Sequence, residues 1–178
     1  MDKKAFTFIE LIMVIAIIGI LSVSGAWIMT YFVQNSVYIP NQLNTDMVAN
    51  EALKIMVEGD SAAKGLRFCQ AVNTITSNNQ FTFTNQAGQA IVYTLNTGTG
   101  ILYRSINGGA NAQIPYYPGV SITGQSGSLF TYYDASEAVT AVAANVRRIA
   151  INLIASTGSG SYNDWQGQST QSTSIAVK

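Results

Sequence analysis

Lys3-Lys4-Ala5-Phe6-Thr7-Phe8-Ile9-Glu10-Leu11-Ile12-Met13-Val14-Ile15-Ala16-Ile17-Ile18-Gly19-Ile20-Leu21 opens the chain as a short basic leader and a long apolar run, with one carboxylate about a turn inside the run. No charged residue follows Glu10 until Asp46. About 20 apolar residues cross a bilayer as a helix, so Phe6 to roughly Tyr31 is long enough. Lys3 and Lys4 precede this segment and no Lys or Arg follows it before Lys54. That bias places the N-terminus in the cytoplasm and everything after about Gln34 beyond the inner face. Membrane insertion has no use for Glu10, because a charge in a spanning segment costs roughly 2.5–3.5 kcal/mol at the centre and less near an end. The residue is therefore functional by default, and its partner has to be found.

Three readings of the segment compete. A secretory signal peptide has a basic region, an apolar region and a small-residue cleavage site, and Ser22-Val23-Ser24 could serve as that site. Glu10 inside the apolar region and the apolar run beyond Ser24 weigh against it. A plain signal anchor would leave Glu10 satisfied by the free N–H groups and positive dipole of the helix start. The third reading rests on the order Ala5-Phe6-Thr7-Phe8-Ile9-Glu10-Leu11 with Gly19.

That order resembles the class III signal of type IV pilins and type II secretion pseudopilins. The resemblance covers about 25 residues. It implies that a prepilin peptidase cuts between Ala5 and Phe6 and methylates the new amino terminus of Phe6. Glu10 then becomes the fifth residue of the mature chain and pairs with the Phe6 amine of a neighbouring subunit. It also implies that Leu11, Val14, Ile18, Gly19 and Leu21 pack in a filament core, supplied by other copies and related pilins through an inner-membrane assembly platform. The physics agrees: an unpaired carboxylate among packed apolar helices is costly, whereas a paired one fixes axial register. The chain departs from the family pattern in three places. Ala5 stands where glycine is usual, the leader is five residues long, and Trp27 occupies the place where many pilins carry a proline.

At 178 residues the chain fits one membrane stem and one modest domain. Charged residues are 10% of it, nine basic and nine acidic, against about 25% in typical soluble domains. Loss of the leader removes Asp2, Lys3 and Lys4, taking the charge from 9 − 9 to 7 − 8, or −1. Nothing there marks a nucleic-acid surface. The expected organisation is a leader at 1–5, a membrane and filament-core helix at 6–33, an amphipathic extension and linker at 34–66, and a globular β-domain at 67–178.

Past the membrane, Val48, Ala52, Ile55 and Met56 recur at helical spacing, while Asp46, Asn50, Lys54 and Glu58 lie off that stripe. Pro40 should kink or interrupt the helix, and Gly59 and Gly65 bracket its end. A helix from Phe6 to about Glu58 would be roughly 80 Å long. Its outer half must bury its stripe, and the sheet that follows is the available partner.

From Asn73 the period becomes two. Phe81 and Phe83 share a face, as do Ile91, Tyr93 and Leu95. Asn96–Gly100 reads as a hairpin loop into Ile101–Ser105, and Asn107-Gly108-Gly109 as a tight turn. Further strands are expected at Leu129–Asp134, at Val146–Ile154 (with Ile149, Ile151 and Leu153 on one face) and at Ser172–Val177, after a Gly158–Gly167 loop. The fold class is α+β: a long N-terminal helix on an antiparallel sheet, the pilin fold.

No catalytic constellation is present. The chain has no histidine, which removes the commonest general base and metal ligand. Gly98 and Gly100 lack the third glycine and the lysine of a phosphate loop. The single cysteine, Cys69, reads as a small buried residue, with an intermolecular bridge as the alternative. Asn163-Asp164 offers one carboxylate, thin for a calcium ion that takes six to eight oxygens. One of each pair Tyr116-Tyr117 and Tyr132-Tyr133 should be buried by alternation, and Arg147-Arg148 reads as a solvated strand face or a subunit contact. No enzyme activity, cofactor or metal is expected. The function expected is a structural filament subunit, held in the inner membrane as a precursor and carried into a periplasmic pseudopilus or an extracellular pilus. The alternative is a monomeric, membrane-anchored β-domain with a binding or adhesive role.

Overall fold

The computed structural model describes residues 7–115, 117–157 and 166–177. One helix, α1 (Phe8–Val57), is followed by nine strands: β1 (Cys69–Ser77), β2 (Gln80–Asn85), β3 (Ala90–Asn96), β4 (Ile101–Ile106), β5 (Ala112–Gln113), β6 (Val120–Gly124), β7 (Phe130–Tyr133), β8 (Arg148–Thr157) and β9 (Gly167–Ala176). The α+β architecture follows the sequence pattern. All strand pairs are antiparallel, but they divide into two sheets. In the first, β1 to β5 run in chain order. In the second, β8 is central, with β9 along one edge and β6 and β7 end to end along the other. β1, β5 and β6 were not anticipated. β9 begins five residues earlier than expected, and the rest of the Gly158–Gly167 loop lies almost wholly outside the described residues.

At 50 residues α1 is about 75 Å long. Pro40 does not interrupt it. Proline costs a helix about 3 kcal/mol, chiefly through one lost N–H bond to the carbonyl four residues back. Here the eight turns before it carry their own hydrogen bonds, and the head takes hold of the helix at the next residues. The apolar stripe is buried as expected at Val48, Ala52 and Met56, joined by Ala49 and Thr45, with Ile55 half-buried. The Thr45 hydroxyl donates back to the carbonyl of Gln42 at 2.8 Å, which lets a polar side chain enter the seam.

The partner of this stripe is not the sheet that follows directly but the last one, through β8 and β9. Val48, Ala49, Ala52 and Met56 present small or flexible side chains, so the helix comes close. Closest of all is Gly167 at the start of β9, where an added Cβ would stand 2.5 Å from the backbone carbonyl of Asn41. Beside it the side-chain amide of Gln42 behaves like a strand. Its Nε2 donates to the carbonyl of Gln168 at 2.9 Å, and its Oε1 accepts from the N–H of Gln168 at 3.1 Å.

The rest of the core lies between the sheets. Phe81 and Phe83 of β2, Ile91 and Tyr93 of β3, and Phe130 and Tyr132 of β7 are almost fully buried. Phe81 meets Phe130 edge to face at 4.7 Å between centroids, the arrangement aromatic quadrupoles favour. Two tyrosine hydroxyls bolt the layers together. Tyr93 donates to the carbonyl of Ile55 in α1 at 3.3 Å, and Tyr132 to that of Ser77 in β1 at 3.1 Å. Gly59 ends the helix with φ +90, where a Cβ would lie 2.2 Å from the carbonyl oxygen of Ala63.

Gly167→Ala tests the seam. Forcing a methyl against the Asn41 backbone should destabilise the head by about 1–3 kcal/mol, the range of overpacked sites, with the loss seen in denaturant unfolding of the chain in micelles. A change at an exposed position of the same strand, Ser172→Ala, should alter stability by no more than about 0.5 kcal/mol.

Candidate functional site

The candidate site is the start of α1 and the apolar surface behind it. Thr7 is the N-cap, with extended backbone angles (φ −76, ψ 150). The Glu10 N–H donates to the Thr7 hydroxyl oxygen at 3.4 Å. In return, Glu10 Oε2 accepts from the Thr7 N–H and the Thr7 hydroxyl, both at 2.8 Å. This reciprocal capping box satisfies two of the free donors at a helix start. Among the described residues nothing binds Glu10 Oε1, so one carboxylate oxygen stays open on an exposed side chain. Thr7-Phe8-Ile9-Glu10 is a readable capping signature, and Thr7 was the residue missed in the sequence. Ala5 and Phe6 lie outside the described residues.

Leu11, Val14, Ile18, Gly19 and Leu21 all lie on α1, and the four with large side chains are exposed. At about 100° per residue, Glu10, Leu21, Val14, Ile18 and Leu11 fall within an arc of roughly 100°. Gly19 stands about 80° further round, outside that arc, and an added Cβ there would meet nothing within 4 Å. The exposed apolar surface covers all sides of the helix rather than one stripe, from Phe8 through Val33, and continues beyond it at Ile39, Leu43 and Met47. A helix apolar all round needs lipid or other protein about it, and this one is long and apolar enough to cross a membrane. Its few hydroxyls are turned inward: Ser22, Ser24 and Thr30 donate to the carbonyls of Ile18, Ile20 and Ala26. Such back-bonding removes donors from an apolar surround. It also places the Ser22-Val23-Ser24 segment in the middle of unbroken helix.

The head holds no comparable feature. Among the described residues no group of three His, Cys, Asp or Glu side chains could hold a metal. Asn163-Asp164 and Tyr116 lie outside the described residues. Cys69 is buried, and desolvation pushes its thiol up to about 11. Tyr132 is buried and Tyr133 half-buried, as alternation requires, with the Arg148 guanidinium 3.9 Å over the Tyr133 ring and also paired with Glu137. Arg147 is exposed and donates to the carbonyls of Ala144 and Val146.

Arg104 carried no signal in the sequence pattern. Its side chain is 6% exposed, and its Nη2 donates to Asp60 Oδ2 at 2.8 Å. Among the described residues, Nε and Nη1 are buried without hydrogen-bond partners. Asp60 also accepts from the N–H groups of Ala62 and Ala63, holding the turn that follows α1. Desolvation works against its ionised form, but Arg104 and the two N–H donors outweigh it and hold the carboxyl below the usual range.

A family model described as the prokaryotic N-terminal methylation motif matches residues 1–26. No curated protein and no solved structure matches the chain. The chain thus carries the class III signal of type IV pilins at the head of a long apolar helix. Together these support a membrane-anchored precursor like the pilins and pseudopilins, and they point to a structural subunit rather than an enzyme.

Asp60→Asn should leave the buried Arg104 charge without its counter-ion. Losing one partner of a buried pair typically costs 3–5 kcal/mol; because Asp60 is 34% exposed, about 2 kcal/mol is expected here. A carboxyl with a lowered folded pKa stabilises the fold above its unfolded pKa near 4, and that stability is lost as pH falls through the folded value. Unfolding titrations should therefore show the wild-type advantage over Asp60→Asn at pH 7 and its shrinkage below about pH 4.

Proposed function

We propose that the chain is a filament subunit of the type IV pilus or type II secretion pseudopilus kind. It is stored in the inner membrane with its N-terminus in the cytoplasm and cut between Ala5 and Phe6 by a prepilin peptidase. Residues 1–5 are the leader, 6–33 the filament-core helix, 34–66 its extension and linker, and 67–178 the head. The reading is carried by one observation: an all-round apolar, exposed helix that begins, directly behind the methylation motif, with a capped glutamate.

The cut leaves Thr7 and Glu10 together in the mature chain, so the capping box survives processing. The open oxygen of Glu10 is then available to the methylated Phe6 amine of a neighbour without breaking the cap. A charge-assisted hydrogen bond of this kind is about twice as strong as a neutral one, and it gains further where apolar helices exclude water. Leu11, Val14, Ile18 and Leu21 supply packing without direction, Gly19 gives a neighbouring helix room, and the ion pair supplies register.

The capping box also supports the runner-up, an anchored monomeric β-domain in which Glu10 serves only its own helix. The two differ in what Thr7 and Glu10 do separately. If Glu10 pairs between subunits, Glu10→Ala keeps membrane insertion but cuts filament incorporation at least tenfold. Thr7→Val, which removes the cap hydroxyl alone, changes incorporation less than threefold. Similar losses from both variants would make Glu10 a cap and nothing more. Mass spectrometry of the chain from cells expressing a prepilin peptidase should find a mature terminus at N-methyl-Phe6. An intact Met1 would sink the filament reading, and a start near Gly25 would mean ordinary secretion.

A further inference from the structure

A sheet edge is a row of unpaired N–H and C=O groups, and proteins that remain alone blunt it with bulges, prolines, charges or covering loops. Three of the four edges here are treated so. β1 is broken by three register shifts against β2. β5 is two residues long. The β6–β7 edge is capped by turns of the first sheet: the N–H of Ile122 donates to the carbonyl of Gly100 at 2.7 Å, and that of Phe130 to the carbonyl of Asn78 at 2.8 Å.

β9 is different. It pairs with β8 over ten residues without a register shift. From Gly167 to Ala176 it holds no charge and no proline. The N–H of Val177 donates to the carbonyl of Arg147 at 2.8 Å, which sets the parity. Odd-numbered residues of β9 face β8, and Gln168, Thr170, Ser172, Ser174 and Ala176 turn their backbone groups away from it. The two bonds from the Gln42 amide to Gln168 agree with that parity, and they show the edge accepting a peptide-like group. Beyond Gln168 the N–H and C=O groups of Thr170, Ser172, Ser174 and Ala176 have no partner outside the ladder among the described residues, and all four residues are exposed.

We propose that this edge is a strand-addition site for an extended, uncharged segment of a different protein. A second copy of this chain does not fit. Its other edges are blunted, so it could offer only β9. Identical edges that pair antiparallel are related by a two-fold axis normal to the sheet. Because α1 lies on the face of that sheet, this axis would turn the two helices to point in opposite directions. Two chains anchored in one membrane by those helices cannot adopt that arrangement. A free segment has no such constraint. The absence of charge on β9 excludes recognition by salt bridges, so main-chain hydrogen bonds carry the affinity. The exposed Thr170, Ser172 and Ser174 favour hydroxyl or amide side chains opposite them. Gln42 closes the Gln168 position, so the segment starts at Thr170.

The test uses the full chain in detergent micelles and, as probe, a synthetic ten-residue peptide with the sequence of residues 167–176, freed from the helix that forbids whole-chain pairing. Amide exchange at Thr170, Ser172, Ser174 and Ala176 should slow at least tenfold with millimolar peptide. Ser172→Pro removes an outward N–H, a position where an edge strand tolerates proline. It should abolish the protection while the circular dichroism and unfolding midpoint stay unchanged. Ser174→Lys, which adds a gatekeeping charge without touching the backbone, should do the same. The proposal falls if these amides are already protected without peptide, or if peptide leaves their exchange unchanged. It falls also if sedimentation shows the chain dimerising in a way that Ser172→Pro prevents, since the occupant would then be a second copy. None of these readouts depends on filament formation.

Discussion

The contact between the buried face of α1 and strand β9 is the constraint from which the rest of the molecule follows. Ala49, Ala52 and Gly167 leave room for backbone to approach backbone, and Gln42 ties the edge of β9 to the helix with two hydrogen bonds. Close approach of this kind gains dispersion energy from many small contacts and tolerates little change in side-chain volume. Because the grip begins at Asn41, the helix is divided there. The buried residues of the helix all lie beyond it, and those before it are largely exposed.

The two halves solve opposite problems. The sheets hide their apolar residues so thoroughly that, among the described large hydrophobic side chains from Cys69 onward, only Val139 and Val142 are exposed. The stem hides none of its own. Such a chain needs lipid about one end and water about the other, which the methylation motif and a membrane-anchored precursor supply. The Arg104–Asp60 pair sits at the joint, where the turn after α1 meets the first sheet. There a buried charge, with two donors unsatisfied among the described residues, ties that turn to β4.

The elements read from the sequence were those whose pattern is local. The class III signal, the stripe at Val48, Ala52 and Met56, and the alternation at Phe81–Phe83, Ile91–Leu95 and Ile149–Leu153 each lie within a short window. β1 was missed because its register shifts break the period-two pattern, and β6 because Val120-Ser-Ile-Thr-Gly124 is short and half polar. The division into two sheets and the choice of β9 as partner of α1 depend on contacts up to 126 residues apart, which no window contains. Pro40 does not interrupt the helix, since propensity gives way where flanking turns and tertiary contacts hold the backbone. At the candidate site, the Thr7–Glu10 cap was legible as a motif. The burial of Arg104 against Asp60 was not, because that contact joins residues 44 positions apart.

The clasp between Asn41–Gln42 and Gly167–Gln168 joins residues 126 positions apart in the chain. A ribosome adds roughly 5–20 residues per second, so the stem is synthesised many seconds before the strand that completes its seat. Throughout that interval Val48, Ala49, Ala52 and Met56 have no β9 to cover them. The order of translation therefore separates anchoring from folding: the stem can enter the bilayer first, and its seat is completed only when β9 arrives. A chain cut short before Gly167 would keep its moorings and lose its mast step.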